Sequence, residues 1–459
     1  MRIGVVRGIS YGLFGKPDQF VPQARQLGAG LIRAYLFWGQ IEPEPGRYDW
    51  SAADALLDQC VDGVDVWLTV CSSSPWATRV PTDFLPPSPA LDPRRYGAFV
   101  RRLVRRFGGR VRYWQCDNEP SNTGLLWSGT AAEYVEQLRV MYQAVKEADP
   151  VASVVLGGCG YDMLGSAPNS EQRRFFDEIV AGGRDAFDVF DIHLYGPPER
   201  IPEYVATARR LLAAHGADKP IVAGEHGGPV LFEFPEVEPV LQDTMMRAYA
   251  DVPATQSIGE LRERAAQETP ERRAMRALYE QMPQLPPRLQ MLMAGCPPQL
   301  EAQRHRINAC QIAQRTVLAL AEGITVTAYW NLAPEVPGPS DPYQLMHLLF
   351  GKLPLLDYRD GELGVRHPAA DAFALVAHHL HDATGARRLD AGPVAAFGID
   401  RDRGPLLVAW AGTPATVTLA WPAANATAVD VFGAEHPAAV TGGEVRFETG
   451  PAPVFVTAG

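Results

Sequence analysis

Apolar runs rich in β-branched residues recur at positions 2–6, 30–37, 65–71, 111–116, 153–158, 188–193, 220–224 and 324–330. Each is short and nearly free of charge, the pattern of a strand buried on both faces, so the chain is expected to hold eight such strands. Between them the period changes. Apolar residues fall three and four apart over 96–107, 131–148, 171–180, 203–215 and 303–321, which predicts amphipathic helices. Strand and helix in alternation is the rhythm of parallel βα units, and eight of them predict a closed (β/α)8, or TIM, barrel of the α/β class. An open doubly wound sheet shares that rhythm. No GxGxxG turn follows the first strand, however, so its dinucleotide-binding form loses its main support.

Two regions break the rhythm. The seventh and eighth strands stand roughly 100 residues apart, far beyond an ordinary connection, and the interval holds a Met-rich, charge-rich segment from about 232 to 300. It leaves the C-terminal end of a barrel strand, which predicts a helical insertion overhanging the catalytic face as a lid or substrate wall, with a stabilising outer hairpin as the alternative. After a helix near 371–381, short strand patterns crowd together at 394–400, 406–410, 416–421, 428–432, 444–448 and 454–457. They predict a small β-sandwich-like domain over 385–459 behind a catalytic barrel over 1–384. No low-complexity tract separates the two, so tight packing is expected.

Composition narrows the function classes. Hydrophobic residues at 46% and charged residues at 21% describe a folded globular chain, neither disordered nor fibrous. A net charge of −11 argues against a nucleic acid or an anionic membrane as partner. The arginine-rich run 101–112 has helical spacing and reads as a solvated helix face. Residues 406–429 carry no charge, but Gly412, Pro414, Pro422 and the alternation Val417, Leu419, Trp421 make strands and turns of them, and no membrane span is predicted. The first residues read as a strand and not as a leader, which predicts a cytoplasmic location. The six cysteines form no CxxC pair and are expected as reduced, packed thiols, with Cys71, Cys116 and Cys159 as small apolar filling near strand ends. His378, His379 and His381 have no carboxylate or cysteine at ligand spacing, so neither a metal nor a cofactor is expected.

Candidate chemistry gathers at strand ends. In YWQCDNEPSN the fourth strand ends in Asn118, Glu119 and Pro120, and in KPIVAGEHGGP the seventh ends at Glu225 before two glycines. Strands four and seven lie on opposed parts of a barrel rim. Two carboxyl groups facing each other across such a mouth are what glycosidic cleavage requires: one protonates the leaving oxygen and the other attacks the anomeric carbon. Taken alone, Glu119 also fits a strand terminus before a proline loop, and Glu225 fits a structural ion pair.

The Asn118-Glu119-Pro120 and Glu225 strand ends, His193-Leu194-Tyr195, Arg33 in GLIRAYLFW and the segment WGQIEPEPGRYDW together resemble the retaining glycoside hydrolases of clan A. WGQIEPEPGRYDW is most similar to family 39 and its relatives in families 5 and 42, and the resemblance spans roughly residues 1–380. It implies that Glu119 is the acid/base, Glu225 the nucleophile and Asn118 the partner of the sugar 2-hydroxyl. It implies that Arg33 keeps Glu225 ionised, and that Tyr195, with His193, orients the nucleophile. Trp330 resembles the aromatic floor under the reacting sugar. Trp38, Trp76 and Trp127 follow strands two, three and four, where they either line neighbouring subsites or pack the loops. The expected substrate is an oligosaccharide or small glycoside, attacked in exo fashion. An endo-acting polysaccharide hydrolase and a carbohydrate-binding barrel without catalysis are the alternatives, while the glycone and the oligomeric state stay open.

Overall fold

The computed structural model describes residues 1–248, 255–265, 267–336 and 341–459. Strands β1 (Arg2–Val6), β2 (Leu31–Phe37), β3 (Asp65–Cys71), β4 (Tyr113–Cys116), β5 (Ser153–Cys159), β6 (Val189–Leu194), β7 (Ile221–His226) and β8 (Val326–Tyr329) close into a parallel barrel, β8 pairing back onto β1. This is the (β/α)8 barrel expected from the alternating pattern. Strand β2 shows why the apolar runs are unbroken: Leu31, Tyr35 and Phe37 belong to the interior cluster, while Ile32, Ala34 and Leu36 belong to the layer under the helices.

The helices follow from local signals. Over Pro93–Phe107 the Asp92 carboxylate accepts from Arg94 N at 2.9 Å, proline opens the first turn, and Gly108 ends the helix with a left-handed φ of 53°. Its apolar stripe, including Phe99, Leu103 and Phe107, is buried. The arginines stand outside, Arg106 donating to Asp54 at 2.7 Å and Arg102 lying 4.6 Å over the Tyr48 ring, so the run is the solvated face expected.

The insertion after β7 is helical, with helices Glu238–Ala248, Ile258–Ala265 and Pro270–Glu280 before the long helix Pro298–Ala321. It has an apolar core of its own, in which Leu241, Met275, Leu278 and Met293 meet Leu345 and Leu348 from the segment after β8. It also meets the loop after β3. Gln256 and Leu85 exchange backbone hydrogen bonds of 2.7 and 3.1 Å, and Asp83 accepts from Ile258 N at 2.9 Å. Residues 83–85 lie in the long loop after β3, a strand opposite β7 in the barrel order, so the insertion is tied to that loop.

Beyond a hairpin of β9 (Leu356–Arg359) and β10 (Glu362–Arg366), which the sequence pattern did not announce, come two antiparallel sheets. The six-stranded sheet contains β11 (Ala383–Leu389), β12 (Ala395–Arg401), β13 (Leu406–Trp410), β15 (Thr427–Asp430), β16 (Glu435–His436) and β19 (Val454–Thr457). The three-stranded one contains β14 (Ala415–Ala420), β17 (Ala438–Thr441) and β18 (Glu444–Thr449). Leu407, Ala409, Val454 and Val456 face the second sheet, whereas Leu406, Val408 and Phe455 join the cluster under the barrel helices. The six-stranded sheet is therefore buried on both faces and shares its core with the barrel. Among the described residues no helix is long and apolar enough to cross a membrane, and the six cysteines are all free.

Candidate active site

The barrel interior carries a connected polar layer at its C-terminal end, and each member arrives there by strand periodicity. Side chains two apart share a face, so β2 delivers Arg33 and Tyr35, β4 delivers Gln115, and β6 delivers Asp191 and His193 with Tyr195 just beyond. Strand β7 needs a bulge. Ile192 pairs with Ala223 and His193 with Glu225, so Gly224 is an extra residue that turns the Glu225 side chain inward. Glu225 thus lies at the C-terminal end of β7, one residue before its last.

Glu225 is the most enclosed carboxylate of the pair, with a side chain 6% exposed against 17% for Glu119. Its Oε1 accepts from Arg33 Nη1 at 2.9 Å and Tyr35 OH at 2.8 Å, and its Oε2 from Tyr195 OH at 2.9 Å. Burial pushes both phenols well above their usual range, so they stay protonated and donate. Arg33 uses its whole fork: Nε binds Thr69 at 3.2 Å, Nη1 also binds the Gly224 carbonyl at 2.9 Å, and Nη2 binds Gln115 at 2.6 Å and Asn118 at 2.7 Å. A fully satisfied guanidinium of this kind orients four elements at once.

Glu119 stands on the turn after β4, where Asp117 and Glu119 have φ of 50° and 42°. Non-glycine residues in this region are strained and persist only where neighbours hold them. The Asp117 carboxylate does so, accepting from Ser72 N at 2.7 Å, Ser72 Oγ at 3.0 Å and Gln137 Nε2 at 3.0 Å. Complete burial raises Asp117 to about 7, against the lowering pull of those bonds.

His193 joins the two carboxylates. Its Nδ1 lies 2.5 Å from Glu119 Oε1 and 3.5 Å from Glu225 Oε2, while Nε2 lies 3.2 Å from Asp191 Oδ2. Its closer tie is to Glu119, not to the residue it was expected to orient. Asp191 is itself tied down by Gly224 N at 2.6 Å and Gln115 Nε2 at 2.8 Å. Burial alone would lower the imidazole, but Glu225, Asp191 and Glu119 around it raise it to about 10. Glu119, His193 and Glu225 each offer an oxygen or nitrogen within 4.8 Å of the others, a spacing compatible with a cation. A protonated imidazole has no lone pair for one, so these residues do not suit a metal in this state.

Of the remaining expected residues, Trp330 borders the mouth, 9% exposed, its ring 6.3 Å from Phe350 and its buried Nε1 without a partner among the described residues. Trp38, Trp76 and Trp127 lie apart from the cluster and pack loops. Trp38 is fully buried, stacked on Phe99 at 5.3 Å, with Nε1 on Glu42 at 2.9 Å. Trp76 meets it edge-on at 5.8 Å and binds the Glu42 carbonyl at 2.9 Å. Trp127 is buried edge-on against Tyr134 at 5.4 Å, with Nε1 on the Thr130 carbonyl at 3.3 Å. A subsite needs an open ring face, and the two fully buried rings have none. Burial also holds the thiols of Cys71, Cys116 and Cys159 well above the usual range, which suits packing. Sequence reading missed Tyr35, Gln115, Asp117 and Asp191. For Tyr35 and Asp191 a signal existed, since each stands two positions from a named residue on the same strand.

No protein-family model and no curated protein matches the chain. Solved structures do. A family 39 glycoside hydrolase from the gut symbiont Bacteroides cellulosilyticus WH2 matches with a TM-score of 0.65 and 16% identity, over 100% of this chain and 81% of the other. A monomeric beta-xylosidase from Caulobacter crescentus CB15 gives 0.61 and 14%, over 99% and 95% of the two chains. A family 51 alpha-L-arabinofuranosidase from Bifidobacterium longum gives 0.58 and 12%, over 99% and 95%. At such identities the likeness is one of fold, from the barrel through the C-terminal sheets.

Proposed function

We propose that this chain is a retaining O-glycosidase. The observation that carries the reading is the separation of its two carboxylates: an oxygen of Glu119 and one of Glu225 lie within 4.8 Å. Retaining carboxyl groups stand about 5–5.5 Å apart and inverting ones about 6.5–9.5 Å, so this close approach of the nearest oxygens favours retention. In the first step Glu225 attacks the anomeric carbon as Glu119 protonates the departing oxygen. In the second, Glu119 takes a proton from water, whose oxygen displaces Glu225 from the glycosyl-enzyme. Arg33 favours the ionised nucleophile, and Tyr35 with Tyr195 fixes its rotamer. Asn118 reaches the sugar 2-hydroxyl and Trp330 floors the reacting ring. The fold likeness to glycoside hydrolases of families 39 and 51 supports the same reading.

The contact of the insertion after β7 with the loop after β3 supports a walled site, which favours a chain end or short glycoside over an internal stretch of polymer. The test is hydrolysis of a panel of nitrophenyl glycosides by wild type and Glu225→Gln. Turnover of one glycone that falls by about 10⁴-fold or more in the variant is expected. A 2-fluoro glycoside of that glycone should label Glu225 covalently. Undiminished turnover in the variant overturns the assignment, and binding without labelling favours a carbohydrate-binding barrel.

A further inference from the structure

The turn after β5 brings a third carboxylate to Glu119, and the mechanism above gives it no task. Gly160 has no side chain, and a Cβ placed there would lie under 3.0 Å from both Asp162 Oδ1 and Glu119 Oε1, so these two oxygens are less than 6 Å apart. Asp162 is anchored, its Oδ2 accepting from Ser121 Oγ at 3.1 Å, two residues beyond Glu119. The titratable groups that face it are Glu119 on the β4 turn, His193 on β6 and Cys159 at the end of β5, with Arg173 on the following helix acting on the same thiol. Burial, followed by the charge of Glu119, raises Asp162 to about 6.

We propose that Asp162 is a positioning residue of the hydrolysis, a second carboxylate held so close to Glu119 that joint ionisation is disfavoured and the pair keeps one proton to deliver to the leaving oxygen through Glu119. The inference rests on the glycosidase reading. Its physical basis is a balance of two neighbours. Protonated His193, 2.5 Å from Glu119, favours the ionised carboxylate, which cannot act as an acid. A second carboxylate at close range opposes that pull, because two like charges at short separation disfavour joint ionisation. Gly160 is what lets them approach. After the leaving group departs, the same negative charge makes ionised Glu119 a stronger base toward water.

The test compares Asp162→Asn with wild type on phenyl and 2,4-dinitrophenyl glycosides of one glycone. A phenoxide leaves only with proton donation, whereas dinitrophenoxide leaves without it. For the phenyl glycoside, kcat/KM should fall about tenfold at neutral pH and the alkaline limb of its pH profile should move about one unit lower, one unit being tenfold in protonated fraction. The dinitrophenyl glycoside should stay within about twofold, and Asp162→Glu should restore the limb. Because the readout is a ratio of two substrates on one protein, a partly unfolded sample does not imitate it. An equal loss on both substrates, or an unmoved limb, overturns the proposal. Absence of turnover of either substrate by the wild type overturns the glycosidase reading first.

Discussion

The two sides of the barrel mouth hold the same residue type in opposite ways. On the β2, β6 and β7 side, Glu225 sits within β7, just past the Gly224 bulge, and receives three hydrogen bonds, from Arg33, Tyr35 and Tyr195. On the β4 and β5 side, Glu119 sits on a strained turn, is nearly three times as exposed, and among the described residues its carboxylate is bonded by His193 alone. A group that must stay ionised and aimed gains from donors on every lone pair. One that must gain and lose a proton within each cycle is better served by few direct bonds and by charges set around it. Rigidity on one wall and electrostatic balance on the other are two solutions to two different tasks.

The largest effect that would break this comparison lies on the Glu119 side. Glu119→Ala should lower turnover of ordinary aryl glycosides by about 10²–10⁴-fold, and azide should restore turnover of activated ones by standing in for the missing base. No azide effect would place the acid/base elsewhere. On the other wall, Arg33→Lys replaces a satisfied fork by a point charge and takes from Asn118 Oδ1 its donor. A loss of about 3–5 kcal/mol in denaturation is expected, with activity falling in step. Unchanged stability would show that the guanidinium organises nothing. The smallest expected effect is Asp117→Asn. Asp117 is raised to about 7 in the fold, so the stability it contributes is present below about pH 4 and is lost as pH rises through 7. The asparagine variant should flatten that decline in chemical denaturation at pH 5 and 8, with turnover little changed.

Much of this was legible in the sequence, for a physical reason. Barrel strands are buried on both faces, so their runs stand out, and Arg33, Glu119, His193 and Glu225 are polar residues interrupting or ending such runs. Tyr35 hides because tyrosine in an apolar strand looks like packing. Asp117 and Asp162 lie on turns whose partners, Ser72 and Gln137 or Ser121 and Glu119, are chosen by folding and not by spacing. Trp38 and Trp127 were open to both subsite and packing readings, since an indole after a strand serves a sugar or a helix equally well until its neighbours are known. The pairing of Leu85 with Gln256 joins segments far apart in the chain, and no local pattern announces it.

The six-stranded sheet with two buried faces has a further consequence. Phe397, Ile399, Leu406, Val408 and Phe455 are packed into the layer that supports the barrel strands, so removing the last strands would expose the underside of the catalytic scaffold to water. The C-terminal sheets are therefore not a detachable accessory. They and the barrel are expected to melt together in one transition, and damage to β13 or β19 to reach the catalytic mouth by loosening the ground on which it stands.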